Sequence, residues 1–452
     1  MVLLRFMREE SDHFGAIEIS TNALYGIQTV RTIQNLSFSG RTLGQYPTYI
    51  DSLAIVKKAA ALANQEAGIF DGKIGNAITN ACDSLIQGDY FEQFPIDILH
   101  GGGGIGTNMN INEVIANLAN ESLGSPRGSY SPVNPAEHVN ASQSTSDVCH
   151  TAIRLAIIKS FPPLYTALDQ LLKAIKAKAD EFQDVTTISR TCLQDGMRVQ
   201  LGDTFRGYAH VVNRRLTSLE QATQKLLHIN LGGTVIGSGV GAPKVYLDTI
   251  LLKLRDVSGM DLCHRKNLFD AAQNMDDLAK VSSELRLLSS CLIKLAKDLR
   301  LLSSGPEAGF AEIQLPAVQA GSSFFPGKVN PVIPETLIQC CFQVIGSDSV
   351  VQAALEHGEL DLNVFEGAAG ANILDALSML EKALLSFTEK CIKGIKVNRE
   401  RCDELANSFI PLVVELKEKV GYTAATKFLK EKGKEEIRNM IQNGGIEIDT
   451  SN

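Results

Sequence analysis

No apolar run in this 452-residue chain approaches the roughly 20 residues that a membrane-spanning helix needs. The start, MVLLRFMREESDHFG, has too short an apolar core and no small-residue cleavage site, so it does not read as a signal peptide. A dense Lys/Arg block is also missing. The formal net charge is −8, and the most basic run, KFLKEKGKEEIR (427–438), interleaves acids and reads as a solvated helix face. Both facts argue against nucleic acid as a partner. The nine cysteines are odd in number, none falls in a CxxC pair, and Cys340 and Cys341 are adjacent. This usage fits free thiols in a reducing, cytoplasmic setting. The eight histidines show no HExxH spacing, so no metal is expected. There is no repeat period and no low-complexity linker.

What is present is helical periodicity. Apolar residues recur at three- and four-residue steps in 50–70, 166–182 and 208–229. Residues 273–305 run on without Pro or Gly until Gly305, far longer than an ordinary globular helix. Two more long stretches follow, 334–358 and 370–395. Several carry apolar residues around much of their circumference, which predicts rods packed as a bundle between subunits. Strand signals are few, AIEIS (16–20) being one.

Three Gly- or Ser-rich stretches interrupt the rods: HGGGGIGTNMNINEV (100–114), HVNASQSTSDVCHT (138–151) and GSSFFPGKVNPVIPE (321–335). Each is placed just before a helix, whose free N–H groups suit an anion. A fourth polar run, SRTCLQDG (189–196), reads as a loop. Together they predict a site for a small dianionic acid.

GSSFFPGKVNP resembles the G-S-S-x-x-P-x-K-x-N-P loop of the aspartase/fumarase superfamily. TNMNINEVIANLA and HVNASQSTSDVCHTA resemble its two other signature regions, and SRTCLQDG stands where it carries an R-T-H-L-Q-D type stretch. The likeness runs from YGIQTVR (25–31) through LFDAAQNMDDL (268–278) to about residue 425. Within the superfamily the wording is most similar to aspartate ammonia-lyases. The resemblance implies a mainly α subunit in three parts: an N-terminal helical domain (1–145), a long central bundle (146–397) and a small C-terminal helical domain (398–452). It implies a homotetramer with active sites shared between subunits, and no cofactor.

The implied chemistry removes a proton beside a carboxylate and expels a group from the neighbouring carbon. Deprotonation loads charge onto the carboxylate oxygens, so donors must bind that group more strongly in the transition state. By resemblance Ser322 is the base. Lys328 and Asn330, with Thr191, hold the activated carboxylate, and Ser144, Thr145 and Ser323 hold the second anion. Thr107 belongs to the same signature regions and is a substrate-binding candidate. A serine base requires an alkoxide stabilised by N–H groups and a cation.

Three positions depart from the family pattern. Ile105 replaces a threonine, Ser146 an asparagine, and Cys192 the R-T-H histidine. In aspartases these positions hold the substrate's amino group. Losing such bonds costs several kcal/mol at roughly 1–3 kcal/mol each. Cys192 therefore reads as a reshaped pocket wall, since no partner base is visible for it as a nucleophile. His150 stands where the family often has proline, and Arg198 where a proline-bearing stretch is usual. Both are candidates to face a bulkier oxyanion such as phosphate, or else solvent or an interface. Glu307 replaces a family arginine.

Three readings follow. The first is a β-eliminating lyase on a succinate-like or sulfo-analogue dianion whose leaving group is not ammonia, such as phosphate from a phosphosulfolactate-type substrate to give sulfoacrylate. The second is an aspartate ammonia-lyase with an unusual pocket. The third, a fumarase or a non-catalytic homologue, is opposed in its non-catalytic form by the retained Ser322, Lys328 and Asn330. The altered amine positions favour the first.

Overall fold

A computed structural model gives the placement of residues 7–442. The MVLLRF start and the chain beyond 442 lie outside the described residues. Among the described residues helices dominate, and every sheet has two strands. AIEIS falls in the strand Gly15–Ser20, which pairs antiparallel with Met7–Asp12. Among the described residues no helix is long and apolar enough to cross a membrane.

The long rods are Pro47–Glu66, Thr145–Glu181, Leu201–Gln224, Asp276–Leu302, Val332–Glu356 and Glu366–Lys390. Asp276–Leu302 shows why they form. Leu278, Val281, Leu285, Leu288, Leu292, Leu295 and Leu299 alternate three- and four-residue steps, and all are at most 1% exposed. That spacing keeps one stripe turned inward along the whole rod. Side-chain caps set other helix starts: Asp71 accepts from the Ile74 amide at 3.0 Å, and Asn398 from that of Arg401 at 3.2 Å.

The helix read from sequence at 166–182 begins much earlier, at Thr145, and passes through Pro162 and Pro163. Two prolines remove two amide donors, a cost that ends most helices. Here Phe161, Leu164 and Leu168 are buried on either side of the break, and their packing holds the helix through it.

Two compact units emerge from the contacts. One joins the chain up to Tyr165 with Thr217–Leu287 and Phe342–Leu380. The other joins Thr166–Leu216, Leu288–Cys341 and the chain from Glu381 onward. The first contains the Ile105–Ser122 helix and the start of the Thr145–Glu181 helix. The second contains SRTCLQDG and the 321–335 loop.

SRTCLQDG is not a loop but the heart of a β-hairpin, Thr186–Thr191 paired with Gln194–Gln200. Its two turn residues, Cys192 and Leu193, both adopt left-handed backbone, with φ of 55° and 60°. Two successive positive φ values match the twist of a tight hairpin. Gly196 lies opposite Ser189 at the bulge, where an added Cβ would come within 2.7 Å of Ser189 Oγ.

Candidate active site

The 321–330 loop folds on itself. The Gly321 amide donates to the Lys328 carbonyl at 2.8 Å, and Asn330 Nδ2 donates to the Gly321 carbonyl at 2.6 Å. A Cβ at 321 would lie 2.5 Å from the Asn330 nitrogen, so the closure demands glycine there. Within the loop, Ser322 Oγ accepts from the amides of Phe324 and Phe325 at 3.0 and 2.8 Å. Two N–H groups aimed at one hydroxyl oxygen are what an alkoxide needs. The loop's cation is Lys328, whose Nζ lies over the Phe325 ring, 5.6 Å from its centroid. Ser323 and Lys328 are exposed, and the side-chain amide of Asn330 is engaged in closing the loop.

The glycine run before Ile105 uses its freedom: Gly102, Gly103 and Gly104 all have positive φ. Ile105 opens the helix with its side chain 46% exposed. Thr107 is buried, its hydroxyl 2.9 Å from His100 Nε2.

Asn108 ties this helix to the next signature region, donating to Thr145 Oγ1 at 3.1 Å and Asn140 Oδ1 at 3.0 Å. There Asp147 reaches back to the Ser144 amide at 2.9 Å, closing the first turn as a cap does. Its other oxygen accepts from the amides of Gly232 and Thr234 at 3.0 and 3.1 Å. Burial raises the Asp147 carboxyl to about 6, while the three amide donors pull it back. Behind it, Lys57 is fully buried, and burial lowers its ammonium to about 7. Lys57 Nζ donates to Asn140 Oδ1 and Gln143 Oε1, both at 3.0 Å. The sequence reading missed this scaffold of Lys57, Asn108, Asn140, Gln143 and Asp147. Its one linear signal is a lysine in the apolar run LAIVKKAAALAN.

The departing positions take different places. Ser146 is 3% exposed, with its hydroxyl on the carbonyls of Thr234 and Val235 at 2.9 and 2.7 Å. Cys192 is exposed at the hairpin tip beside Thr191, which is also exposed. His150 is fully buried: Nε2 donates to the Asn363 carbonyl at 3.1 Å and lies 3.5 Å from Glu366 Oε2. Arg198 donates to the Ala406 carbonyl at 2.9 Å, to Glu415 at 2.9 Å and to Asn407 Oδ1 at 3.1 Å. His150 is thus packed inside and Arg198 is fastened to the C-terminal helices, so neither presents a free cation to a bulky oxyanion. Beneath the hairpin a cavity of about 510 Å³ is walled by Ile188, Leu193, Val199, Leu302 and Phe310.

The chain matches a family model described as "Lyase" over residues 15–346. It is 43% identical to the aspartate ammonia-lyase of Helicobacter pylori (strain J99 / ATCC 700824) over 94% of this chain and 91% of that one. It is 38% identical to the aspartate ammonia-lyase of Escherichia coli (strain K12) over 97% and 93%. Among solved structures, the fumarate lyase:delta crystallin of Brucella melitensis bound to cobalt superposes with a TM-score of 0.93 at 42% identity, over 98% of this chain and 96% of that one. The class II fumarase of Schistosoma mansoni gives 0.91 at 30% identity, over 97% and 96%.

These likenesses overturn the expectation of a leaving group other than ammonia, and with it phosphate loss to sulfoacrylate. Near-full-length relatives at about 40% identity are aspartate ammonia-lyases. The three altered residues do not outweigh that likeness; Ser146, for one, turns its hydroxyl onto the carbonyls of Thr234 and Val235. By its matched residues and its fold, the chain belongs to the lyase family of the aspartase/fumarase superfamily.

Proposed function

We propose that this protein is an aspartate ammonia-lyase, converting L-aspartate to fumarate and ammonia. The observation that carries the reading is Ser322 Oγ held by two amide donors on a loop that also bears Lys328, in a chain about 40% identical to aspartate ammonia-lyases throughout.

In this reading Ser322 takes the proton from the carbon next to the β-carboxylate. The C–H pair becomes the double bond, and the C–N pair leaves with nitrogen as ammonia. Lys328, Asn330 and Thr191 receive the charge that builds on the β-carboxylate. For Asn330 this requires exchanging its bond to Gly321 for one to substrate. Ser144, Thr145 and Ser323 hold the other carboxylate. Ile105 and Cys192 line a divergent amine pocket that binds the ammonium with fewer side-chain partners, with the Ser146 hydroxyl held by the carbonyls of Thr234 and Val235. Loops from several copies of the chain complete each site in a cytoplasmic homotetramer. Apolar side chains left exposed on one rod, Phe342 at 56% and Val350 at 43%, support that assembly.

The test is an absorbance assay at the fumarate band with L-aspartate, with ammonia measured in parallel and L-malate as the control substrate. Equal amounts of fumarate and ammonia are expected. Silence with aspartate, or turnover of malate alone, would overturn the assignment. Ser322→Ala is expected to lower kcat by about 10²–10⁴-fold, the range for losing a positioned base.

A further inference from the structure

Phe325 is tied to both ends of the proposed chemistry. Its amide donates to Ser322 Oγ at 2.8 Å, and its ring lies under the Lys328 ammonium, 5.6 Å from centroid to Nζ. Phe324 packs against that ring edge to face, with centroids 4.8 Å apart and planes at 82°. Yet Phe325 is 56% exposed and Phe324 is 81% exposed. Two large apolar rings left exposed on the single chain are not explained by burial within it.

We propose that Phe325 is a positioning residue: its ring seats the Lys328 ammonium and pre-orders it for the substrate carboxylate. The inference rests on the reading of Ser322 as base and Lys328 as carboxylate-holding cation. A ring face attracts a cation through its negative quadrupole. An ammonium seated on the ring keeps N–H groups on its far side free to donate to a carboxylate. A lysine stem otherwise samples many rotamers, and ordering it in advance removes that cost from substrate binding. The backbone bond to Ser322 survives any side-chain change at 325, so the ring's part is separable from the amide's.

Phe325→Leu removes the ring and keeps the amide. kcat/KM for L-aspartate is expected to fall about two- to fivefold, the range an exposed cation–ring contact supports, shared between KM and kcat because Lys328 meets the carboxylate both on binding and as charge builds on it. Phe325→Tyr, which retains an aromatic face, is expected to restore kcat/KM. Unchanged kcat/KM in the leucine variant, or no recovery in the tyrosine variant, would overturn the positioning role.

A second readout needs no turnover. The chain contains no tryptophan, so Phe325→Trp makes the introduced indole the sole one in the full-length protein. Its emission maximum is expected to shift when Lys328→Met is added, because the charge on the ring is gone. Identical emission in the two variants would overturn the contact. Failure of the unaltered chain to deaminate L-aspartate would instead sink the proposed function, so the two failures are read separately.

Discussion

Lys57 Nζ donates to Asn140 Oδ1 at 3.0 Å, and that one oxygen also accepts from Asn108 and Asn112 at 3.0 and 3.3 Å. A single carbonyl oxygen therefore joins the Pro47–Glu66 helix, the Ile105–Ser122 helix and the turn that leads to Ser144 and Thr145. Lys57→Met keeps most of the side-chain volume but removes one of the three donors on Asn140 Oδ1 and the donor that Lys57 gives Gln143 Oε1. The expected cost is about 2–3 kcal/mol of stability, read from urea unfolding, with roughly a tenfold fall in kcat/KM as the anion-holding turn loosens. Lower stability with unchanged kinetics would break the link between this network and the turn.

The buried carboxyl at Asp147 gives a signed pH dependence. Its folded value, about 6, lies above its ordinary value of 3.8, so the folded chain keeps a proton that the unfolded chain has lost across that window. Its contribution is fully present below about 4 and declines as pH rises through 6. The stability difference between wild type and Asp147→Asn should therefore shrink over that range, by about 2–3 kcal/mol, and stay constant above it. Lys57 works in the other direction. Its folded value near 7 lies below 10.5, so its penalty is lifted as pH rises between them. Urea midpoints of wild type, Asp147→Asn and Lys57→Met across pH 4–10 check both signs.

Arg198 ties the hairpin to the C-terminal helices through Ala406, Asn407 and Glu415. Arg198→Ala should leave kcat/KM for L-aspartate within twofold and cost about 1 kcal/mol, because the charged part of the contact is partly solvated. Limited proteolysis should then cut faster within 399–442. A large loss of activity with an intact C-terminal part would return Arg198 to the site.

The divergent amine pocket is tested by putting polar groups back. Ile105→Thr combined with Cys192→His should lower KM for L-aspartate about tenfold, the effect of one or two restored hydrogen bonds. Steady-state kinetics with ammonia detection read it directly. An unchanged KM would mean that these two side chains do not meet the ammonium.

That the three Gly- or Ser-rich stretches lead into helices was legible, although each helix begins inside its stretch, at Ile105, Thr145 and Val332. The hairpin was not. Cys-Leu lacks the turn chemistry of Asn-Gly, and the flanking strands show no clean alternation. Lys57 was invisible as a buried group because its partner Asn140 lies 83 residues away. The prolines at 162 and 163 hid half a helix, since only the packing of Phe161, Leu164 and Leu168 shows why it continues. The leaving group was misjudged for the same reason. The type of residue 146 is written in the chain, but the direction of its hydroxyl is not.

The left-handed turn at Cys192 and Leu193 bears on how this protein changes over generations. Its two residues sit where asparagine and glycine are more comfortable, and cysteine and leucine carry a standing backbone penalty of about 1 kcal/mol or more each. Mutational drift acting on stability alone would therefore move both positions toward Asn, Asp or Gly. Ser144 and Thr145, wired to Asn108, Asn140 and Asp147, have no such freedom. The hairpin tip is the part of the candidate site where side chains can be exchanged with a gain in backbone stability.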